Sequence, residues 1–194
     1  EAESLLDILR ENSIFVDKVE FNFNITDNQK RKVKLFLEEK WGDIGKNDII
    51  VAISAGGKRE TNQWPTDRFK EIVEYLCNKY NVKIIIVGGK ADISQAKFIT
   101  QNLKNEDYLI AAGELEILET AELLKSCSFL ISNSTGTIHL AAAVGLPVIG
   151  IYSIRDIFGR WFPYGKNHKI LYHKFFDCDY KNENCIKKSI GMIS

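Results

Sequence analysis

The residues best suited to chemistry form one short run, Ser132-Asn133-Ser134-Thr135-Gly136-Thr137-Ile138-His139, which passes into Leu140-Ala141-Ala142-Ala143. The apolar Phe129-Leu130-Ile131 before it reads as a buried strand, so the unit is strand, polar turn, helix of small side chains. Ser134 or Thr135 can cap that helix, and Gly136 leaves its first backbone N–H groups open to close approach. Those groups and the helix dipole favour an anion. His139, one turn further on, could face the same anion. The bland alternatives are an ordinary capped helix and a packed core histidine.

A second candidate is the loop Ala55-Gly56-Gly57-Lys58-Arg59-Glu60-Thr61-Asn62-Gln63-Trp64-Pro65, which joins two glycines to two cations. Phosphate recognition uses both backbone N–H groups and Lys or Arg, so this loop complements the Ser134 turn. A third is Val87-Gly88-Gly89-Lys90-Ala91-Asp92, where the Asp92 carboxylate could accept hydrogen bonds from ribose hydroxyls or form a capping box with Gln95. The sequence contains no G-x-G-x-x-G placed to open a first helix, no P-loop, no H-E-x-x-H and no C-x-x-C. Cys178 and Cys185, on a polar segment with His168 and His173 nearby, could hold a metal ion, but their pattern assigns none there.

These residues need elements to hold them. Leu5, Leu6, Ile8 and Leu9 suit a short helix over 3–12, and Val19, Phe21 and Phe23 an extended stretch. Thr26 to Gln29 is a capping box opening a helix that runs to about Trp41, with Lys30-Arg31-Lys32 on a solvated face. From Ile49 strands and helices alternate: strands near 49–53, 83–87, 108–111, 129–131, 148–152 and 169–172, and helices capped by Thr66, starting near Asp92, and over 118–124. A short helix is expected after Asn184. Short β-branched strands separated by amphipathic helices predict an α/β, doubly wound parallel sheet, Rossmann-like, covered on both faces. In the usual order the first and fourth strands are neighbours, which sets the Gly56 loop opposite the Ser134 turn.

With 194 residues and 26 basic against 26 acidic side chains, the chain holds one principal domain and has no global basic field that would argue for nucleic acid. Its apolar runs are too short for a transmembrane segment. Cys77, Cys127, Cys178 and Cys185 are scattered as in a reduced, cytoplasmic protein, and a first residue of Glu fits a piece of a longer one.

The run from Asn133 to Ala143, then Gly145-Leu146-Pro147, resembles the D-[ST]-G-x-x-H-x-A-A-A…G-x-P signature of glycosyltransferase family nine, the lipopolysaccharide heptosyltransferases. Trp64-Pro65 resembles that family's K-x-W-P segment, Gly88-Gly89 to Asp92 its G-x(2–4)-E segment, and Cys178 onward its cysteine-bearing tail. The resemblance covers roughly 48–194 and implies the donor-binding half of a two-domain GT-B enzyme, with 1–47 as connector and linker helix from a missing N-terminal domain.

It implies that Thr135 and Gly136 bind the donor diphosphate, with His139 nearby, that Asp92 holds the ribose and that Leu115 lies in the adenine pocket. Ser134 stands where the signature has a sugar-contacting Asp, and Asn62 where the first loop usually has Lys, so Lys58 or Arg59 would replace that cation. No catalytic residue is assigned to this chain, because the family's carboxylate lies on the other half. The implied ligand is an ADP-sugar, ADP-heptose first, with no cofactor or metal. The implied acceptor is a lipopolysaccharide core sugar, met in the cytoplasm at the inner face of the inner membrane through peripheral contact. Two readings stay open beside this one, a non-catalytic nucleotide-binding module and another GT-B enzyme such as a nucleotide-sugar epimerase.

Overall fold

The computed structural model of the chain describes residues 2–14, 19–45, 47–153 and 158–172, together with Asn184, Ile186 and Ile190. Two helices lead, α1 (Ala2–Glu11) and α2 (Asp27–Trp41). The alternating series then runs β1 (Ile50–Ser54), α3 (Thr66–Tyr80), β2 (Lys83–Ile86), α4 (Ile93–Thr100) and β3 (Tyr108–Ile110). It continues α5 (Ile117–Leu124), β4 (Phe129–Asn133), α6 (Gly136–Ala143), β5 (Val148–Tyr152) and β6 (His168–Tyr172).

The strands form one sheet in the order β3-β2-β1-β4-β5-β6, every pair parallel. All five residues of β1 are buried, as a strand covered on both faces requires. The pleat sends Val51 and Ile53 into one core with Phe69 and Val73 of α3 and Ala96 and Ile99 of α4. It sends Ile50 and Ala52 into the other, with Val33 and Leu37 of α2, Leu123 and Leu124 of α5, and Ile138 and Ala141 of α6. Helices therefore cover both faces, as expected for a doubly wound sheet.

Helix α2 opens with the expected capping box: the Gln29 N–H donates to Thr26 Oγ1 at 3.3 Å and the Thr26 N–H to Gln29 Oε1 at 2.9 Å. Its charged run Lys30-Arg31-Lys32 is exposed, as expected, and one member of it also makes a tertiary contact. Lys32 Nζ meets Glu119 Oε2 at 2.7 Å and ties α2 to α5, and Glu119 is buried. That contact joins positions far apart in the chain, so helical periodicity alone does not reveal it.

Three expected caps differ. Pro65, not Thr66, occupies the cap position of α3, and the Thr66 hydroxyl instead accepts from Gln95 Nε2 at 2.7 Å. Gln95 thus holds α4 to α3 and takes no part in a box with Asp92. Thr135 sits at the cap position of α6, yet neither it nor Ser134 caps with its side chain. The Thr135 hydroxyl lies 3.4 Å from Ser132 Oγ, turned back toward the strand. The cysteine-bearing tail, with Cys178, Cys185 and His173, and most of the expected helix after Asn184 fall outside the described residues.

Candidate functional site

A hollow of about 950 Å³ opens at the C-terminal ends of the strands, where β1 and β4 lie side by side and the chain winds away in opposite directions. In open α/β sheets this switch point is where ligands bind. Its wall is assembled strand by strand. Leu115, Ile117 and Thr120 come from the segment after β3, and Gly88, Gly89 and Asp92 from that after β2. Gly56, Gly57, Lys58 and Asn62 follow β1, Ser134, Thr135, Gly136 and His139 follow β4, and Trp161 lies beyond β5. Eight of the nine residues singled out from the sequence are thus brought together, and Arg59 is not part of the wall. Among the described residues no cluster of His, Cys, Asp and Glu could hold a metal ion.

The N-terminus of α6 is the open end of this hollow. A Cβ built on Gly136 would meet nothing within 4 Å, so the first turn is clear to a ligand. With the Thr135 hydroxyl turned away, the first-turn N–H groups carry no side-chain cap, and an anion there would complete them. The helix can lie close because β5 yields room: a Cβ on Gly150 would stand 3.2 Å from Ile138 Cδ1 and 2.7 Å from Tyr152 Cε2. Lys58 adds an exposed cation on the β1 side. His139 lines the hollow, and the desolvation it meets there draws its pKa below the ordinary value.

Asp92 is placed by glycines. Its Oδ2 accepts from the Gly89 N–H at 2.8 Å, which folds the carboxylate back over the β2 end. Cβ atoms on Gly56 and Gly88 would both run into that carboxylate, so glycine at these positions makes the space Asp92 occupies. Asp92 therefore serves as the closing acceptor of the Gly88-Gly89 turn and keeps a second oxygen for a ligand.

Asn133, passed over in the sequence as part of the signature, holds the two loops in register. Buried at the end of β4, it donates from Nδ2 to the Ala55 carbonyl at 2.5 Å and accepts at Oδ1 from the Trp64 N–H at 2.9 Å. Gln63 Nε2 then closes the loop on the Gly57 carbonyl at 2.7 Å, and Ser153 Oγ donates to Asn62 Oδ1 at 3.3 Å. Trp64 packs edge-on to Phe69 at 5.1 Å, anchoring the loop to the core. Ser54, its hydroxyl 3.2 Å from that of Thr137, forms the floor. Trp161 was missed as well. Its signal is the aromatic-rich run Phe158-Gly159-Arg160-Trp161-Phe162-Pro163-Tyr164 beyond β5, which has neither strand nor helix periodicity.

Fold and site together define a doubly wound α/β domain with an anion-ready switch-point crevice. Over residues 6–190 the sequence matches glycosyltransferase family 9 (heptosyltransferase), and the chain belongs to that family. The match takes in the second half of α1 and all of α2 as well as the sheet. Lipooligosaccharide heptosyltransferase 2 of Haemophilus influenzae is 25% identical over 127 residues, 64% of this chain and 36% of that protein. Among solved structures, the glycosyl transferase family 9 protein of Veillonella parvula superposes with a TM-score of 0.78 at 18% identity, covering 88% of this chain and 48% of that one. The E. coli heptosyltransferase WaaC with ADP gives 0.60 at 20% identity, covering 80% and 47%. Several of the solved neighbours are named as heptosyltransferases, and the chain spans about a third of the length of the first curated relative and about half of these structures.

Proposed function

We propose that this chain binds the nucleotide-sugar donor of an inverting, heptosyltransferase-like glycosyltransferase of lipopolysaccharide core synthesis. The observation that carries the reading is the uncapped, glycine-led N-terminus of α6 opening on the same hollow as the Gly56 to Asn62 loop. An ADP-sugar, with ADP-heptose first, places its diphosphate on the backbone N–H groups at Thr135 and Gly136. Lys58 and His139 stand beside it, the ribose lies on Asp92, and the adenine on Leu115. Ser134 and Asn62 face the sugar side. Relatives named as heptosyltransferases, and the resemblance to a fold solved with ADP, support this assignment.

The chemistry is direct displacement at the anomeric carbon. Fixed N–H groups and the α6 dipole stabilise the charge that grows on the departing diphosphate, which is electrostatic catalysis by a preorganised site. A base must reach the acceptor hydroxyl within about 2.6–3.2 Å, and no residue of these loops is assigned that task. We place it on a second domain of the full enzyme, with residues 1–47 linking the halves, and the acceptor meets the donor at the cytoplasmic face of the inner membrane. No helix among the described residues is long and apolar enough to cross a membrane.

Titration of the chain with ADP, UDP and GDP by calorimetry and amide shift mapping tests the reading. ADP is expected to bind best, with shift changes at Gly56, Asp92 and Thr135. Absence of ADP binding, or shifts confined to another surface, would overturn it.

A further inference from the structure

The sheet order imposes a lateral order on the wall of the hollow. Leu115 follows β3, Asp92 follows β2, the Gly56 loop follows β1, the Ser134 turn follows β4, and Trp161 lies beyond β5. A donor with its base at Leu115, its ribose at Asp92 and its diphosphate at the β1/β4 switch point directs whatever that diphosphate carries toward the β5 side. We propose that Trp161 is the platform on which the donor's transferred sugar rests, a specificity-determining residue of the transfer. This rests on the nucleotide-sugar reading above.

Among the described residues Trp161 is the only Phe, Tyr or Trp in the wall, and its side chain is left 45% exposed there. Its backbone is pinned. Tyr152, buried at the end of β5, donates its hydroxyl to the Trp161 carbonyl at 2.8 Å. The adjoining Phe162 meets Tyr152 edge-on at 5.0 Å and Phe158 at 4.9 Å. The segment is therefore clamped to the core through its neighbours while the indole itself is delivered to the hollow. Arg160 lies 5.7 Å over the indole and steadies its plane.

A sugar ring offers a face of polarised C–H groups, which suits the electron-rich face of an aromatic ring. An indole N–H at the edge adds one donor for a hydroxyl. Ser134 and Asn62 supply neutral hydrogen-bonding groups nearby, so this end of the hollow recognises a neutral polyol by shape and hydroxyl pattern.

The test compares ADP with ADP-heptose by calorimetry on the whole chain, using the wild type, Trp161→Ala and Trp161→Phe. The Tyr152 bond goes to a backbone carbonyl, so it persists in both variants. Trp161→Ala should weaken ADP-heptose about three- to tenfold while ADP stays within about twofold. Trp161→Phe should recover most of the loss, because the flat face is kept. Equal weakening of ADP and ADP-heptose, or unchanged affinity for both, would overturn the Trp161 assignment and leave the nucleotide site standing. Failure of ADP to bind the wild type would overturn the nucleotide reading and this one with it.

Discussion

Gly136→Val separates a binding role from a structural one at the heart of the site. Gly136 opens α6, and a Cβ there meets nothing within 4 Å, so the folded chain has room for the side chain. Helix propensity favours valine over glycine by about 0.3 kcal/mol in an interior position, and less at the first residue. The variant should therefore match the wild type in stability to about 0.5 kcal/mol. The ligand loses more. A branched side chain fills the space in which a diphosphate would accept the first-turn N–H groups, and a hydrogen bond to a charged group contributes about 1.5–3 kcal/mol. Losing one such bond costs about 2 kcal/mol, or roughly thirtyfold in affinity. Urea unfolding would supply the first number and ADP calorimetry the second. A fall in stability equal to the loss in binding would make Gly136 a packing residue, and unchanged ADP affinity would remove the diphosphate from α6.

His139→Ala should lower affinity for ADP by about 1–3 kcal/mol and leave adenosine nearly unaffected, since the ring acts at the phosphate end. Burial depresses the His139 pKa and a diphosphate would raise it, so ADP should bind the wild type more tightly as pH falls from 8 towards 6, beyond the change in His139→Gln. Asn133→Ala strands the Ala55 carbonyl and the Trp64 N–H in the core, and chemical denaturation should show a loss of about 2–4 kcal/mol. The Lys32 ammonium, with the Glu116 N–H, holds the Glu119 carboxyl below the usual carboxylate range. A group depressed in the folded state stabilises above its unfolded value, near 4.5, and loses that contribution as pH falls through the folded value. Lys32→Met should therefore be less stable by under about 1 kcal/mol at pH 7, because Lys32 is half-exposed, and the gap should close in melts below pH 4.

The strands, the helices and the α6 signature were legible in the sequence because each is written within a few neighbouring residues: β-branched runs of about five, the Thr26 box, the small side chains after Gly136. Doubly wound order then followed from the alternation, and with it the meeting of the Gly56 loop and the Ser134 turn. Local pattern misled where a polar side chain had a choice of partners. Thr66, Gln95 and Thr135 all carry the chemistry of caps, and each was claimed by a residue other than the one capping predicts.

Tertiary structure alone decided the rest. Asn133 joins Ala55 and Trp64 across 78 and 69 residues of chain, and Lys32 reaches Glu119 across 87. Trp161 joins the wall of the hollow from beyond β5, where the Tyr152 hydroxyl holds its backbone carbonyl. A hydrogen bond depends on distance and direction in space, and for residues this far apart those are set by the order of strands in the sheet and the packing of helices upon it, so the chain's own local preferences carry no record of them.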